Sequence, residues 1–359
     1  MPESDLGYTG AAILIRPALL RQWGARVKLR PELLEKYVFS RVGVRDPRVL
    51  VGPSYGEDSA VVDLGSGKLL VAHIDPITGA VENVGWLAVH VACNDVAVRG
   101  ARPAWIMPAI LLPEDAGEEA IDTITRQIDS AAREVGVMVI GGHTEFAPGV
   151  DRPIIATAAL GILEEGRYIS TSGAEVGDVV LMTKRAGLEG TSILATDFRE
   201  ALLERGVEEE LLERGARFLE MISVVKEALL LARMGADSMH DPTEGGVLGG
   251  LAEVAYASGK LVEVWEERIP VAEETRVLCE ALEIDPLKLI SSGTLIATLP
   301  PERAEEALEA LEREGIDASL VGEVREGRGL LVHRADGRSE LVGEYVEDEL
   351  MRLWSELGR

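Results

Sequence analysis

Cysteine is nearly absent from this chain. Cys93 and Cys279 are the only two in 359 residues, too few for a disulfide framework or a Cys-based zinc site. Amide side chains are as scarce, with Asn83, Asn94, Gln22 and Gln127 in all; beside plentiful charge, that shortage points to a thermophilic source. Basic residues are outnumbered, 36 Lys+Arg against 62 Asp+Glu, for a formal charge of −26. That balance argues against a sequence-independent nucleic-acid binder, whose phosphate contacts need Lys and Arg, and against docking on anionic lipid. Long apolar runs are missing too: Ala11–Leu20 is short and broken by Arg16 and Pro17. Neither a signal peptide nor a membrane span is expected, and the expected compartment is the cytoplasm. No Walker phosphate loop or Gly-x-Gly-x-x-Gly fingerprint occurs, which counts against the usual nucleotide folds.

What is present fits a soluble, two-domain protein, since 47% of the residues are hydrophobic and the length exceeds one ordinary core. A short amphipathic helix is expected over Leu29–Val42, with Pro31 and Glu32 in its first turn and Leu33, Leu34, Tyr37 and Val38 on one side. Ala60–Leu64 and Leu69–Ala72, joined by a Gly-Ser-Gly turn, read as a hairpin. Gly85–Val98 is apolar almost all round and reads as a buried helix. An amphipathic helix over Glu118–Val135, a short buried strand over Val137–Ile140 and another strand over Ile154–Leu163 follow. Gly, Ser, Thr and Glu around Glu164–Gly177 mark a boundary, giving expected domains 1–165 and 166–359. The second half reads as strands at Asp178–Thr183, Thr294–Leu299 and Gly329–Val332, with helices at Gly245–Ser258 and Pro301–Glu314. Strands and helices mix without strict alternation, so the expected class is α+β.

Several acids stand where water should not be. Gly56-Glu57-Asp58-Ser59-Ala60 precedes a strand, Asp75 follows the paired strand, Asn94-Asp95 interrupts the apolar helix, and Gly141-Gly142-His143-Thr144-Glu145 follows Val137–Ile140. A buried, unpaired carboxylate costs several kcal/mol, so such groups are paired or metal-bound. Asp95 is the sharpest case, in line with Leu87, Val91 and Val98 on a face that ought to be core. Simpler roles exist for each: Asp58 as a cap, Asp75 closing a turn, Asp95 paired with Arg99 one helical turn on. In the second half Asp241-Pro242-Thr243-Glu244-Gly245-Gly246 opens a helix, where Asp241 or Thr243 could cap or the glycines could face an anion. Arg185–Thr191 has spare glycines and could likewise cradle a phosphate. Together the acids supply oxygen ligands with little imidazole or thiolate, which suits a hard cation such as Mg²⁺ arriving with phosphate.

In order, these segments resemble the aminoimidazole-ribonucleotide (AIR) synthase-like superfamily, which includes AIR synthase, thiamine-monophosphate kinase, selenophosphate synthetase and the hydrogenase maturation protein HypE. The wording is most like HypE and archaeal HypE-like proteins, through Asn94-Asp95-Val96-Ala97-Val98-Arg99-Gly100-Ala101-Arg102-Pro103 and Asp241-Pro242-Thr243-Glu244-Gly245-Gly246. The resemblance implies a two-domain α+β fold, a homodimer whose N-terminal sheets close a β-barrel, and ATP held between the domains through Mg²⁺. It implies Asp58, Asp75, Asp95 and Asp241 as metal ligands, with Asp95 and Asp241 at the catalytic centre. Asn94, Gly141, Gly142, His143, Thr144 and Glu244, along with Asp58 and Asp75, are implied at the nucleotide. The implied reaction phosphorylates an amide-like or carbonyl oxygen of an unidentified small-molecule or protein substrate.

Two departures qualify that expectation. His143 stands where the family motif carries an acid, and a neutral imidazole is a poorer Mg²⁺ ligand. The sequence ends Trp354-Ser355-Glu356-Leu357-Gly358-Arg359 without the cysteine that HypE modifies on itself, so a self-modifying reaction is not expected. The competing expectations are a small-molecule kinase like thiamine-monophosphate kinase and a nucleotide-binding maturation partner without turnover.

Overall fold

The computed structural model describes residues 29–357, with Gly79, Glu165 and Gly166 excepted. Two sheets organise the chain. The first contains β1 (Val49–Val51), β2 (Ala60–Gly65), β3 (Lys68–Ile77), β4 (Arg102–Leu112), β5 (Met138–Val139), β6 (His143–Phe146) and β7 (Ile154–Glu164). Its order is β1-β2-β3-β7-β4, with β5 and β6 laid end to end, both parallel to the far edge of β4. The second contains β8 (Val179–Thr183), β9 (Ser238–His240), β10 (Leu261–Trp265), β11 (Ile296–Leu299), β12 (Ala318–Arg325), β13 (Gly329–His333) and β14 (Ser339–Val342). It runs β14-β13-β10-β12-β8-β11-β9, antiparallel except where β10 meets β13. Strands and helices alternate irregularly in both halves, the α+β class expected.

The Val84–Ala97 helix packs across one face of the first sheet, against β3 and β7. Its residues are buried all round except Trp86, because the amphipathic Glu118–Val135 helix covers its other side. The two helices cross closely at Gly85, where an added Cβ would lie 2.6 Å from the Ile124 carbonyl oxygen. In the second half the Gly246–Ser258 helix is equally apolar and packs beneath β10 and β13.

Three expectations need correction. The Leu29–Val42 helix is a single α-turn, Pro31–Leu34, running into a wider turn at Glu35–Phe39, and Tyr37 and Val38 face solvent. β3 runs on to Ile77, so Asp75 lies inside the strand, opposite Thr157, and not after it. The segment Val137–Ile140, expected to be buried, exposes Met138, Val139 and Ile140, since as an edge strand it pairs only with β4. It belongs to a wider apolar face on the side of the sheet away from the Val84–Ala97 helix, where Ile74, Trp105 and Met107 are also exposed. β4 itself was not foreseen, because Pro103 and Pro108 argue against an interior strand. Pro108 is tolerated where β5 has ended and β6 has not begun, so no partner on that edge needs its missing N–H.

Candidate functional site

A cavity of about 450 Å³ opens between the two sheets. The loop before β2 brings Asp58 to it, β3 brings His73 and Asp75, the buried helix brings Asp95, and the end of β9 brings Asp241. Carboxylate oxygens of Asp58, Asp95 and Asp241 lie within 4.8 Å of one another, and ligand atoms of His73, Asp75 and Asp95 do the same. Asp95 is common to both sets. Thus the four acids singled out as metal ligands converge, although they come from four elements in two halves of the chain. Glu244 lines the same cavity.

Asp58 sits in a hydrogen-bonded frame. One of its oxygens is 2.9 Å from His240 Nδ1, and His240 Nε2 lies 2.7 Å from Glu253 Oε2. Behind it the fully buried Arg99 reaches Glu57 at 2.8 Å and Asp58 at 3.7 Å. Glu57 in turn accepts from the Thr171 and Ser172 amides and the Ser172 hydroxyl. Burial pushes the Asp58 carboxyl up, but the charges of His240 and Arg99 overcome it and hold it below its ordinary value. Burial pushes His240 down; Asp58 and Glu253 overcome that and raise it to about 10. The bridge is therefore an imidazolium between two carboxylates.

Asp95 and Asp241 have no such frame. Burial first, then Asp241, Asp58 and Asp75, push Asp95 well above its ordinary value. Burial and Asp58 do the same to Asp241. His73 Nε2 stands 3.3 Å from Asp95, but neither oxygen of the buried Asp241 has a hydrogen-bond partner among the described residues. Asp241 does not cap the Gly246–Ser258 helix, whose first turn is set by Gly245, bonded through its N–H to Asp348. Nor does Asp95 take Arg99, which turns to Glu57 instead. Orphaned, clustered oxygens in a cavity are the donor set a hard divalent cation takes, so the residues fit Mg²⁺.

Other expected site residues lie elsewhere. Asn94 is buried beside Asp95, yet its amide is fully used: Nδ2 donates to Ile222 O at 2.9 Å and Oδ1 accepts from Val224 N at 2.8 Å. Gly141, Gly142, His143 and Thr144 line a separate cavity of about 370 Å³ against β4 and the Glu118–Val135 helix. There Gly142 is required for close backbone approach, since a Cβ would sit 2.2 Å from Pro108 O; His143 is exposed, 3.2 Å from Glu145. The loop before the Leu188–Asp197 helix cradles no anion, because Gly187 N and Gly190 N already donate to Ser291 Oγ and Ile290 O. The roles of Arg99, His240 and Glu253 were missed. Glu253 was findable, since it interrupts an apolar helix as Asp95 does.

Two family models match this chain: the N-terminal domain of AIR synthase related proteins over residues 56–163 and their C-terminal domain over residues 175–333. The chain belongs to the AIR synthase-related family, a family of ATP-dependent enzymes, and is HypE-like within it. The carbamoyl dehydratase HypE of Azotobacter vinelandii is 34% identical over 82% of this chain and 87% of that one. A putative hydrogenase expression/formation protein of Methanocaldococcus jannaschii is 27% identical over 93% and 99%. Among solved structures, HypE in complex with ATP superposes with a TM-score of 0.68 at 25% identity, over 92% of this chain and 98% of that one. HypE from a HypE–HypF complex gives 0.71 at 26% identity, over 87% and 99%. No described helix is long and apolar enough to cross a membrane.

Proposed function

We propose that this protein is a Mg²⁺- and ATP-dependent, HypE-like enzyme that activates the oxygen of a carbamoyl or similar amide group by phosphorylation. The observation that carries the reading is the convergence of Asp58, Asp95 and Asp241 in one interdomain cavity, with both Asp241 oxygens unpartnered. Asp58, Asp75, Asp95 and Asp241 would hold the cation, which supplies charge neutralisation for the phosphates and the transferring group. Glu244 faces the same space and bounds the substrate side. Asp58, fixed by His240 and Arg99, keeps one ligand ionised in advance, so less reorganisation is needed when phosphate arrives. Asn94 serves by anchoring the helix that carries Asp95.

The relatives named carbamoyl dehydratase supply the substrate class, and the HypE–HypF complex makes a HypF-type protein the partner to try first. A second copy of the chain is proposed on the apolar face of the first sheet around Ile74, Trp105 and Met107, giving the homodimer. Calorimetry of ATP binding with and without Mg²⁺ tests the site: Asp58→Asn and Asp95→Asn are each expected to abolish the Mg²⁺-dependent part. Intact binding in both variants would sink the assignment. Release of ADP and phosphate only in the presence of a carbamoyl compound separates the dehydratase reading from a carrier that merely holds nucleotide.

A further inference from the structure

Both family models end by residue 333, yet the chain after β14 returns to the acid cavity. Residues 343–348 form a strap without regular structure that leads into a last helix, Glu349–Leu357, and Tyr345 in the strap lines the cavity. Near the start of the strap Tyr55 Oη donates to Glu344 O at 2.6 Å, and Tyr55 belongs to the loop that carries Asp58. At its end Asp348, 5% exposed, accepts from Gly245 N at 2.8 Å, and Gly245 belongs to the turn that carries Asp241. The contact is close on the backbone as well. An added Cβ on Gly245 would lie 2.8 Å from Val346 O in the strap, and one on Gly246 would lie 2.6 Å from Leu287 O.

Asp348 divides its oxygens. Oδ1 accepts from Leu350 N at 2.9 Å and Met351 N at 3.4 Å, an ordinary cap for the last helix. Oδ2 is the oxygen that reaches Gly245. A serine would cap as well and bury no charge, whereas burial pushes this carboxyl up to about 7, with the Gly245 N–H drawing it back and Glu244 pushing it further up. The second oxygen is what an aspartate adds here. What it holds matters, because neither oxygen of Asp241 has a hydrogen-bond partner among the described residues. The backbone of the turn, and not a side-chain bond, therefore places them.

We infer that the strap sets the distance between Asp58 and Asp241, with Tyr55 and Asp348 as positioning residues at its two ends. This deepens the HypE-like reading and rests on it. Asp58 and Asp241 come from different halves of the chain, and the strap is bonded to the loop of one and the turn of the other. A cation held between two carboxylates needs both at a fixed reach. With the strap in place that reach is set before the ligand arrives. With either end released, binding must supply the ordering, and affinity falls by that amount.

Calorimetry of Mg²⁺–ATP binding and amide exchange, both on the full chain, test this. Asp348→Ser keeps a cap for the last helix but is too short to reach Gly245. It is expected to weaken Mg²⁺–ATP binding about tenfold, the equivalent of one hydrogen bond. Exchange at the Gly245 amide should quicken while Leu350 and Met351 stay protected. Tyr55→Phe removes only the hydroxyl and is expected to weaken binding about tenfold too, and to quicken exchange at Gly245 from the far end of the strap. Because either release frees the same strap, the double variant is expected to lose about tenfold again, and not the roughly 100-fold of two independent effects. Leu353→Ala loosens the last helix inside the core and is expected to leave binding within about twofold. Parent-like binding in Asp348→Ser, losses that multiply in the double variant, or an equal loss in Leu353→Ala each overturn the inference. Absence of Mg²⁺–ATP binding from the unaltered protein would instead break the HypE-like reading. Exchange is read without nucleotide, so an unchanged rate at Gly245 in Tyr55→Phe overturns the strap by itself, and the two failures are distinguishable.

Discussion

The two sides of the cavity bury acids in opposite ways. Asp58 enters from the loop before β2 and meets His240 and Arg99, so its charge is balanced within the protein. Asp95 and Asp241 enter from a helix and a strand end and meet mainly other acids, so their charge is left for something else to balance. The first side is a finished structure and the second an unfinished one. Burying a charge is tolerable when its partner is built in; where the partner is a ligand, the empty site must hold protons or lose stability.

The largest expected effect comes from breaking the finished side. His240→Leu leaves Asp58 and Glu253 buried with no cation between them and is expected to cost about 3–5 kcal/mol in urea unfolding, the usual penalty for removing one partner of a buried charge set. Asp241→Asn should show the reverse pattern. It removes a carboxylate with no partner, so the metal-free protein is expected to gain stability at pH 8, while Mg²⁺-dependent ATP affinity falls at least about 100-fold, near 2.7 kcal/mol. A variant that lost both would show that Asp241 is structural.

Acidity distinguishes the sides next. Asp58 is lowered in the folded protein, so its contribution is present above the ordinary carboxylate range and lost as pH falls through its folded value. Asp95 and Asp241 are raised, so theirs is present below that range and lost as pH rises through their folded values. His240 keeps its contribution below about 6.5 and loses it as pH rises through about 10. Without a cation, unfolding midpoints should therefore decline as pH rises from the ordinary carboxylate range toward about 10, and saturating Mg²⁺ should flatten the part of that decline that comes from Asp95 and Asp241. A decline of the same size with Mg²⁺ would remove the metal from the account.

Smaller effects lie outside the cavity. Trp105→Glu with Met107→Glu is expected to convert a dimer to a monomer in light scattering, with stability of the single chain changed little. His143→Ala, at an exposed side chain whose ion-pair partner is the exposed Glu145, should shift stability by less than about 0.5 kcal/mol. A large loss of Mg²⁺–ATP binding in His143→Ala would link its separate cavity to the acid site.

Much of this was legible in the sequence. Asp95 betrayed itself by interrupting an apolar helix, and the motif order carried the family. The frame around Asp58 was not legible, because His240 and Glu253 lie more than 180 positions along the chain and only the folding of β9 and the Gly246–Ser258 helix brings them near. β4 hid behind its prolines, whose tolerance depends on where two other strands stop and start. The open face around Met138 reads as core in one dimension, because an apolar run does not say whether its cover comes from the same chain.

Asn94 and Asp95 are neighbours on one helical turn, and Asn94 is bonded at both ends of its amide to the backbone at Ile222 and Val224. The helix that points an acid into the cavity is thereby pinned to the second half of the chain. The two halves consequently have no free hinge at this point, beside a cavity that Leu34, Phe39, Tyr55 and Tyr345 help to line. An acid carried on a helix held in this way is expected to keep its spacing from Asp241 when a ligand binds.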